Sequence, residues 1–176
     1  MTVTFRITAE DFTTYYLYVA SRSKVVTAKR NLRRYGFSLL FLALSAWFYL
    51  DENLPIAIGL SVLAVLWFIF YPRFSKASQK RFYERYIAEN YKNRINRQTE
   101  FTTSPGFISI IDGKTHSKIH VSEFEKLIGI EPLFFLTLKS GTAYIIPKNQ
   151  VDLNAFKAEI GAIGIPVFEE NHWQWQ

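Results

Sequence analysis

The chain contains no cysteine. Disulfides, thiolate metal sites and thiol nucleophiles are therefore excluded, and the absence fits a reducing, cytoplasmic setting. Histidine is scarce: three residues in 176. His116 and His120 lie four apart on an expected strand, so they share a face but stand roughly 13 Å apart, too far to share one metal ion. Without cysteine, a zinc site would need distant carboxylates that the sequence does not identify. No glycine-rich phosphate loop or dinucleotide fingerprint is present, and Ser109, Ser117 and Ser122 lack the glycines of a nucleophile elbow. Glu123 and Glu125 alternate with Phe124 and read as a solvated strand face rather than an acid/base pair. The expectation is a protein that is not an enzyme, with no cofactor and no metal.

Charge is missing from two further places. Residues 35–50 (YGFSLLFLALSAWFYL) and 56–71 (IAIGLSVLAVLWFIFY) hold no charged side chain. Between them, 51–55 reads DENLP and holds no base. Acid is missing from the segment that precedes them: Arg22, Lys24, Lys29, Arg30, Arg33 and Arg34 occur there without a carboxylate. The second outer flank carries Arg73, Lys76, Lys80, Arg81, Arg85, Lys92, Arg94 and Arg97 against Glu84 and Glu89. From residue 98 onward arginine disappears, and nine acids face six lysines. A mean hydropathy of +0.01 thus averages two strongly apolar runs with polar flanks. The net charge of +6 belongs to the flanks, which argues against a nucleic-acid-binding C-terminal region.

These patterns predict a transmembrane helical hairpin. At 1.5 Å per residue the first run rises roughly 24 Å, short of a hydrocarbon core of roughly 30 Å. Arg33 and Arg34 can snorkel at one end, and Trp47 and Tyr49 can anchor the other. A soluble helical pair would need other helices to cover it, and the chain offers few. A re-entrant hairpin, entering one leaflet only, is the rival within the membrane reading. Pro55 suits a first helical turn, and Trp67, Phe68, Phe70, Tyr71 and Pro72 read as an aromatic belt followed by a stop. The basic flanks and base-free loop place both termini in the cytoplasm, so that a position such as Lys114 is cytoplasmic while Asn53 is not. The N-terminal MTVTFRITAEDF has no basic region followed by an apolar run, so no signal peptide is expected.

Four segments follow. Residues 1–34 hold a strand, Thr2 to Thr8, with Val3, Phe5 and Ile7 on one face, then a helix from about Ala9 capped by Thr8. Phe12, Tyr16 and Val19 share a stripe on that helix, with Tyr15 beside it, and Ser21 to Ser23 weaken or bend it. Residues 35–71 are the hairpin. Residues 72–97 form a basic amphipathic helix in which Phe82 and Tyr86 make one stripe and Tyr83, Ile87, Tyr91 and Ile95 the next. That face either meets anionic lipid or packs on the cytoplasmic domain, and the second reading is preferred. Residues 98–176 change to a period of two. Strands are expected around Phe101, at 107–111, 115–121, 123–131, 133–139 and 142–146, with hairpin turns at Asp112-Gly113 and Ser140-Gly141. A helix from Asp152 with Leu153, Phe156 and Ile160 on one face follows, then a short edge strand at 165–168. A meander closed by a helix implies a small barrel or strongly bent sheet. The strand at Thr2 to Thr8 has no partner nearby and is expected to complete that sheet.

The motifs Ile7-Thr-Ala-Glu-Asp-Phe12, the hairpin, Ile119 to Glu131, and Ala143-Tyr-Ile-Ile-Pro-Lys148 resemble the YcxB-like family of bacterial membrane proteins. The resemblance runs over essentially the whole chain. It implies a bacterial inner-membrane protein with a cytoplasmic, pleckstrin-homology-like (PH-like) β-domain, and it carries no catalytic residues. Near the start of the Ile119 strand, where such sequences often have Trp, this chain has Lys118 and His120. The fold class expected is a membrane α+β protein: strand, helix, hairpin, basic helix, then an antiparallel PH-like meander. The expected role is a binding or scaffold module for a protein partner or for anionic lipid headgroups. The alternatives are a homo-oligomeric subunit of a transport or envelope assembly and, third, a membrane-associated enzyme. No ionisable residue falls at membrane depth for a proton relay. The candidate headgroup contacts are Lys29, Arg30, Arg33, Arg34, Arg73, Lys76, Lys80 and Arg81. Phe134, Phe135, Tyr144 and Trp173 are candidates for an aromatic contact patch.

Overall fold

A computed structural model describes residues 1–113 and 115–175. Lys114, used above as a cytoplasmic marker, and Gln176 lie outside the described residues. The protein is α+β, and its chain contacts divide it into two compact units. One combines Met1–Tyr16 with Glu84–Gln174, and the other is built from Leu17–Tyr83 with Trp175.

The first unit holds two four-stranded sheets. In the first, β1 (Thr2–Arg6), β2 (Gln98–Ser104), β3 (Phe107–Asp112) and β4 (Thr115–His120) pair antiparallel in that order. In the second, the order is β7 (Ala143–Pro147), β6 (Leu133–Leu138), β5 (Phe124–Gly129), β8 (Val167–Glu169). β1 pairs with β2 over its full length, with Val3 opposite Phe101 and Phe5 opposite Thr99. Residues directly opposite share a face, and Phe5, Thr99, Phe101 and Thr103 are all buried. The N-terminal strand is thus completed by a strand that follows all three long helices.

Helix α4 (Leu153–Ala162) is capped by the Asp152 carboxylate, which accepts from the backbone N–H groups of Asn154 and Ala155 at 3.0 Å. Its Phe156 ring lies 5.6 Å from Phe101 of the first sheet and 5.6 Å from Phe134 of the second. One side chain therefore joins both sheets into one core, together with Ile108, Leu127, Leu136, Ile146 and Ile160. Leu153, expected beside Phe156, is exposed instead, because the first residue of the helix precedes the turn that packs.

Two strand expectations change. The run at 123–131 begins with a 3₁₀ turn, Val121–Glu123, and β5 starts only at Phe124. β8 runs parallel to β5, with Leu127 opposite Val167, so the second sheet is mixed rather than a pure meander. A parallel neighbour needs a crossover, and α4 provides it. The unalternating run Leu133-Phe-Phe-Leu136 is buried on both faces, as a strand covered on two sides should be. Phe134 and Leu136 enter the shared core, while the Phe135 ring meets Tyr15 at 5.3 Å.

Tyr15 comes from α1 (Ala9–Arg22). Thr8 and Asp11 start this helix reciprocally: the Asp11 N–H donates to Thr8 Oγ1, and the Thr8 N–H and hydroxyl donate to Asp11 Oδ2. Phe12 lies against Tyr91 at 4.9 Å, and the Tyr16 and Tyr91 hydroxyls are 2.5 Å apart. Val19, placed in the same stripe by spacing, is exposed. Ser23 ends the bend expected at 21–23 by capping α2, accepting from the Val26 N–H.

In the second unit, α2 (Lys24–Leu50) and α3 (Leu54–Asn90) run antiparallel. The Ser45 hydroxyl donates to the Ala57 carbonyl and lies 2.8 Å from Ser61 Oγ near the turn. At the far end Trp67 Nε1 donates to the Arg33 carbonyl at 3.3 Å. The turn is tighter than the expected loop 51–55. Glu52 takes a left-handed φ of 57°, its N–H donates to the Tyr49 carbonyl, and the Asn53 N–H donates to Phe48. This pair of bonds closes a helix C-terminus as glycine usually does.

α3 contains an 18-residue stretch of mean hydropathy 2.3, only 17% of it buried. Among the described residues it is the one helix long and apolar enough to cross a membrane. α2 falls short by that measure because Arg33 and Arg34 border its apolar run. Pro72 does not stop α3, contrary to the expected boundary at 71–72. The helix continues through it to Asn90, and residues 72–97 are not a separate helix. A proline removes the donor to the carbonyl four residues back, here that of Phe68. Arg34 Nε supplies the missing donor from α2, at 3.3 Å.

Candidate functional site

Charge and space coincide most clearly in the second unit. A groove of about 460 Å³ opens between the basic turn of α2 and the part of α3 that follows Pro72. Helical spacing builds both walls. Val26, Lys29, Arg30 and Arg33 recur at three- and four-residue steps on α2, and Tyr71, Phe74, Ser75, Ser78, Gln79 and Phe82 do so on α3. Tyr71 is buried and stacks on Trp67 at 5.2 Å. Ser75 is buried, while Phe74 and Phe82 are exposed at the rim. Gln79 Oε1 is shielded and has no hydrogen-bond partner.

No acid lines the groove. Within Leu17–Tyr83 the only carboxylates are Asp51 and Glu52, at the other end of the helical pair, against ten bases. The lining is thus basic and polar, and it can hold an anion with guanidinium, ammonium, hydroxyl and amide groups together.

Of the eight candidate headgroup contacts, Lys29, Arg30 and Arg33 share this groove. Arg34 does not: its guanidinium sits 4.1 Å over the Phe68 ring and serves the bond described above. Arg73, Lys76, Lys80 and Arg81 lie outside the lining. Charge counting identified the collar but missed Ser75, Ser78 and Gln79. The three- and four-residue spacing from Tyr71 could have found them had Pro72 not suggested a break.

Of the four aromatic candidates for a contact patch, most of which were expected in the core, two are fully buried. Phe134 and Phe135 are core residues. Tyr144 borders a smaller cavity of about 300 Å³ with Arg94, Arg97, Asp112 and Ser117, where burial raises its phenol above the ordinary value. Arg97 Nε lies 3.9 Å from Asp112 Oδ1 there. His116, His120 and His172 are all exposed. His120 Nδ1 pairs with Ser122 Oγ at 2.7 Å, and its ring packs edge-on against Phe107 at 5.0 Å. Lys118 sits over the same Phe107 ring at 4.7 Å. Among the described residues no cluster of three His, Cys, Asp or Glu side chains could hold a metal ion.

Lys148, from the Ile-Ile-Pro-Lys motif, has a structural place that the motif alone did not reveal. Its ammonium lies 4.8 Å over the Phe134 ring and 3.4 Å from Glu169 Oε2, and it donates to Asn171 Oδ1 at 3.1 Å. Glu169 also meets Lys157 at 2.8 Å. The hydrogen bond from Lys157, with Lys148 nearby, holds the Glu169 carboxyl below the ordinary carboxylate value.

Compared with known proteins, the sequence matches no family model, and no curated protein or solved structure matches it.

Proposed function

We propose that this chain is an integral protein of a bacterial inner membrane, a member of the YcxB-like family. The antiparallel pair α2–α3 is its anchor, and its β-unit is a cytoplasmic, PH-like binding or scaffold module. The observation that carries the reading is the apolar surface of the helical pair. Leu39, Leu40, Trp47, Leu50, Ile58 and Ile69 are among many large apolar side chains there that are half or more exposed. Soluble proteins rarely leave so continuous an apolar surface open. The two sheets joined by a C-terminal helix support the PH-like part, and the positive-inside rule supports cytoplasmic termini.

The test uses the absence of native cysteine. In intact cells a full chain with Asn53→Cys should react with an impermeant thiol reagent, and one with Ser140→Cys should react only after lysis. Alkaline carbonate should leave both in the membrane pellet. Release into the supernatant would overturn the anchoring, and reversed labelling would overturn the orientation.

A further inference from the structure

We propose that the groove between α2 and α3 binds the phosphate of an anionic phospholipid. This inference rests on the membrane reading above and names a ligand for it. Three observations carry it.

The first is charge. Lys29, Arg30 and Arg33 converge from one face of α2 on a cavity without an acid. Basic pockets between membrane helices on the cytoplasmic side are where lipid phosphates bind, and a volume of about 460 Å³ falls in the range of roughly 300–1,000 Å³ that small ligands occupy.

The second is depth. From Leu54, at the start of α3, to Phe74, at the groove rim, the helix rises about 30 Å. That equals the thickness of a hydrocarbon core, about 30 Å. With the Asp51–Asn53 turn at one interface, the groove therefore lies at the other, where headgroup phosphates are. The exposed Phe74 and Phe82 at the rim, and Ile69 and Phe70 one turn below, offer apolar surface to acyl chains.

The third is the opposite wall. Ser75 and Ser78 present hydroxyls, and the Gln79 amide has a shielded oxygen without a partner. The Gln79 side chain also lines the groove, and its amide can hydrogen-bond a phosphate or headgroup oxygen there. A diffuse basic collar needs no such wall, whereas a site does. Arg34, donating to the Phe68 carbonyl, and Trp67, donating to the Arg33 carbonyl, tie the two walls together.

The experiment uses the full chain in a neutral detergent, with phosphatidylglycerol as probe. Saturable one-site binding is expected, with phosphatidylcholine much weaker. At about fivefold per cation near the surface, the double variant Arg30→Gln/Arg33→Gln should bind roughly 25-fold or more weakly. The charge-matched Arg73→Gln/Arg81→Gln should lose less than about threefold, and Arg30→Lys/Arg33→Lys should retain most of the affinity. Gln79→Leu, which leaves every charge in place, should weaken binding about fivefold by removing one hydrogen bond. Gln79→Leu also carries the test if the double variant does not fold.

Equal losses in the two Gln double variants would overturn the site in favour of a diffuse collar. Displacement of the lipid by inorganic phosphate or poly-glutamate at comparable concentration would overturn the lipid assignment. Absence of saturable binding by a chain that stays in the carbonate pellet overturns this inference alone, whereas loss from the pellet overturns the anchoring.

Discussion

Arg34 donates to the backbone carbonyl of Phe68, the one carbonyl in α3 that Pro72 deprives of its helical donor. The guanidinium also lies over the Phe68 ring at 4.1 Å. A basic residue that charge counting assigns to the lipid surface thus repairs a helix, and a proline that reads as a stop becomes part of a continuous rod.

This relationship predicts a coupled pair. Arg34→Ala removes the donor to the Phe68 carbonyl and should destabilise the helical pair by about 0.5–1.5 kcal/mol. In a Pro72→Ala background, where the N–H returns, the same substitution should cost clearly less. A double-mutant cycle on thermal unfolding in detergent reads the coupling, and simple additivity would refute the repair.

Phe5 is buried opposite Thr99 and belongs to the core that α4 closes. Phe5→Ala should cost about 3–5 kcal/mol of the β-unit's stability, seen as an earlier denaturant midpoint for the full chain. A chain beginning at Gln98 should expose Phe101 and lose amide-exchange protection in β2 and β3. Equal protection with and without β1 would show that the strand is dispensable.

Gly129 pairs with Glu169 across the parallel β5–β8 contact. A Cβ there would stand 2.6 Å from Glu169 Oε2 and 3.1 Å from the Phe134 ring. Gly129→Ala should therefore destabilise by about 1–3 kcal/mol. Adding Glu169→Ala should recover part of the loss, since the carboxylate can go but the ring remains. Full tolerance of Gly129→Ala in thermal unfolding would contradict the close approach.

The Glu169 carboxyl is held low by Lys157, with Lys148 contributing. A depressed folded value means stability that is present above the unfolded value of about 4.3. It is lost as pH falls through the still lower folded value. Glu169→Gln should therefore lower stability at neutral pH and change it little at acid pH, where the native carboxyl is already protonated, so that the profile flattens across that window. An unchanged profile would show that the carboxylate is not coupled to folding.

Tyr16 behaves with the opposite sign. Burial, reinforced by its hydrogen bond with Tyr91, raises its phenol far above the ordinary value of about 10. The neutral form is favoured, so its contribution persists below the unfolded value and is lost as pH rises through the folded one. In ultraviolet titration the Tyr16 phenolate should be among several that appear late, and Tyr91→Phe should bring it earlier. A titration in which Tyr91→Phe changes nothing would argue against the hydroxyl pair.

Much of the candidate groove was legible in part. The collar Lys29, Arg30, Arg33 follows from charge placement alone, because positive residues collect beside apolar runs. Its opposite wall was hidden, since Pro72 has a strong local preference to end a helix, whereas α3 continues through it with Arg34 donating to the freed carbonyl. The same conflict of local and distant terms explains β8. Residues 165–168 read as an edge strand from β propensity, but nothing local sets parallel or antiparallel pairing.

By itself the sequence determined what depends on near neighbours: two charge-free runs, a period of two from residue 98, the Thr8 and Asp152 helix caps, and the basic flanks. These are set by hydrogen-bond geometry and side-chain spacing over a few residues. Only the tertiary structure decided that β2 is the partner of β1 and in which register, that Phe156 unites two sheets, that Lys148 meets Glu169 of β8, and that Arg34 donates to the carbonyl Pro72 leaves open. Each of those depends on groups far apart in sequence, whose pairing becomes favourable only once both have been brought to one place and withdrawn from water.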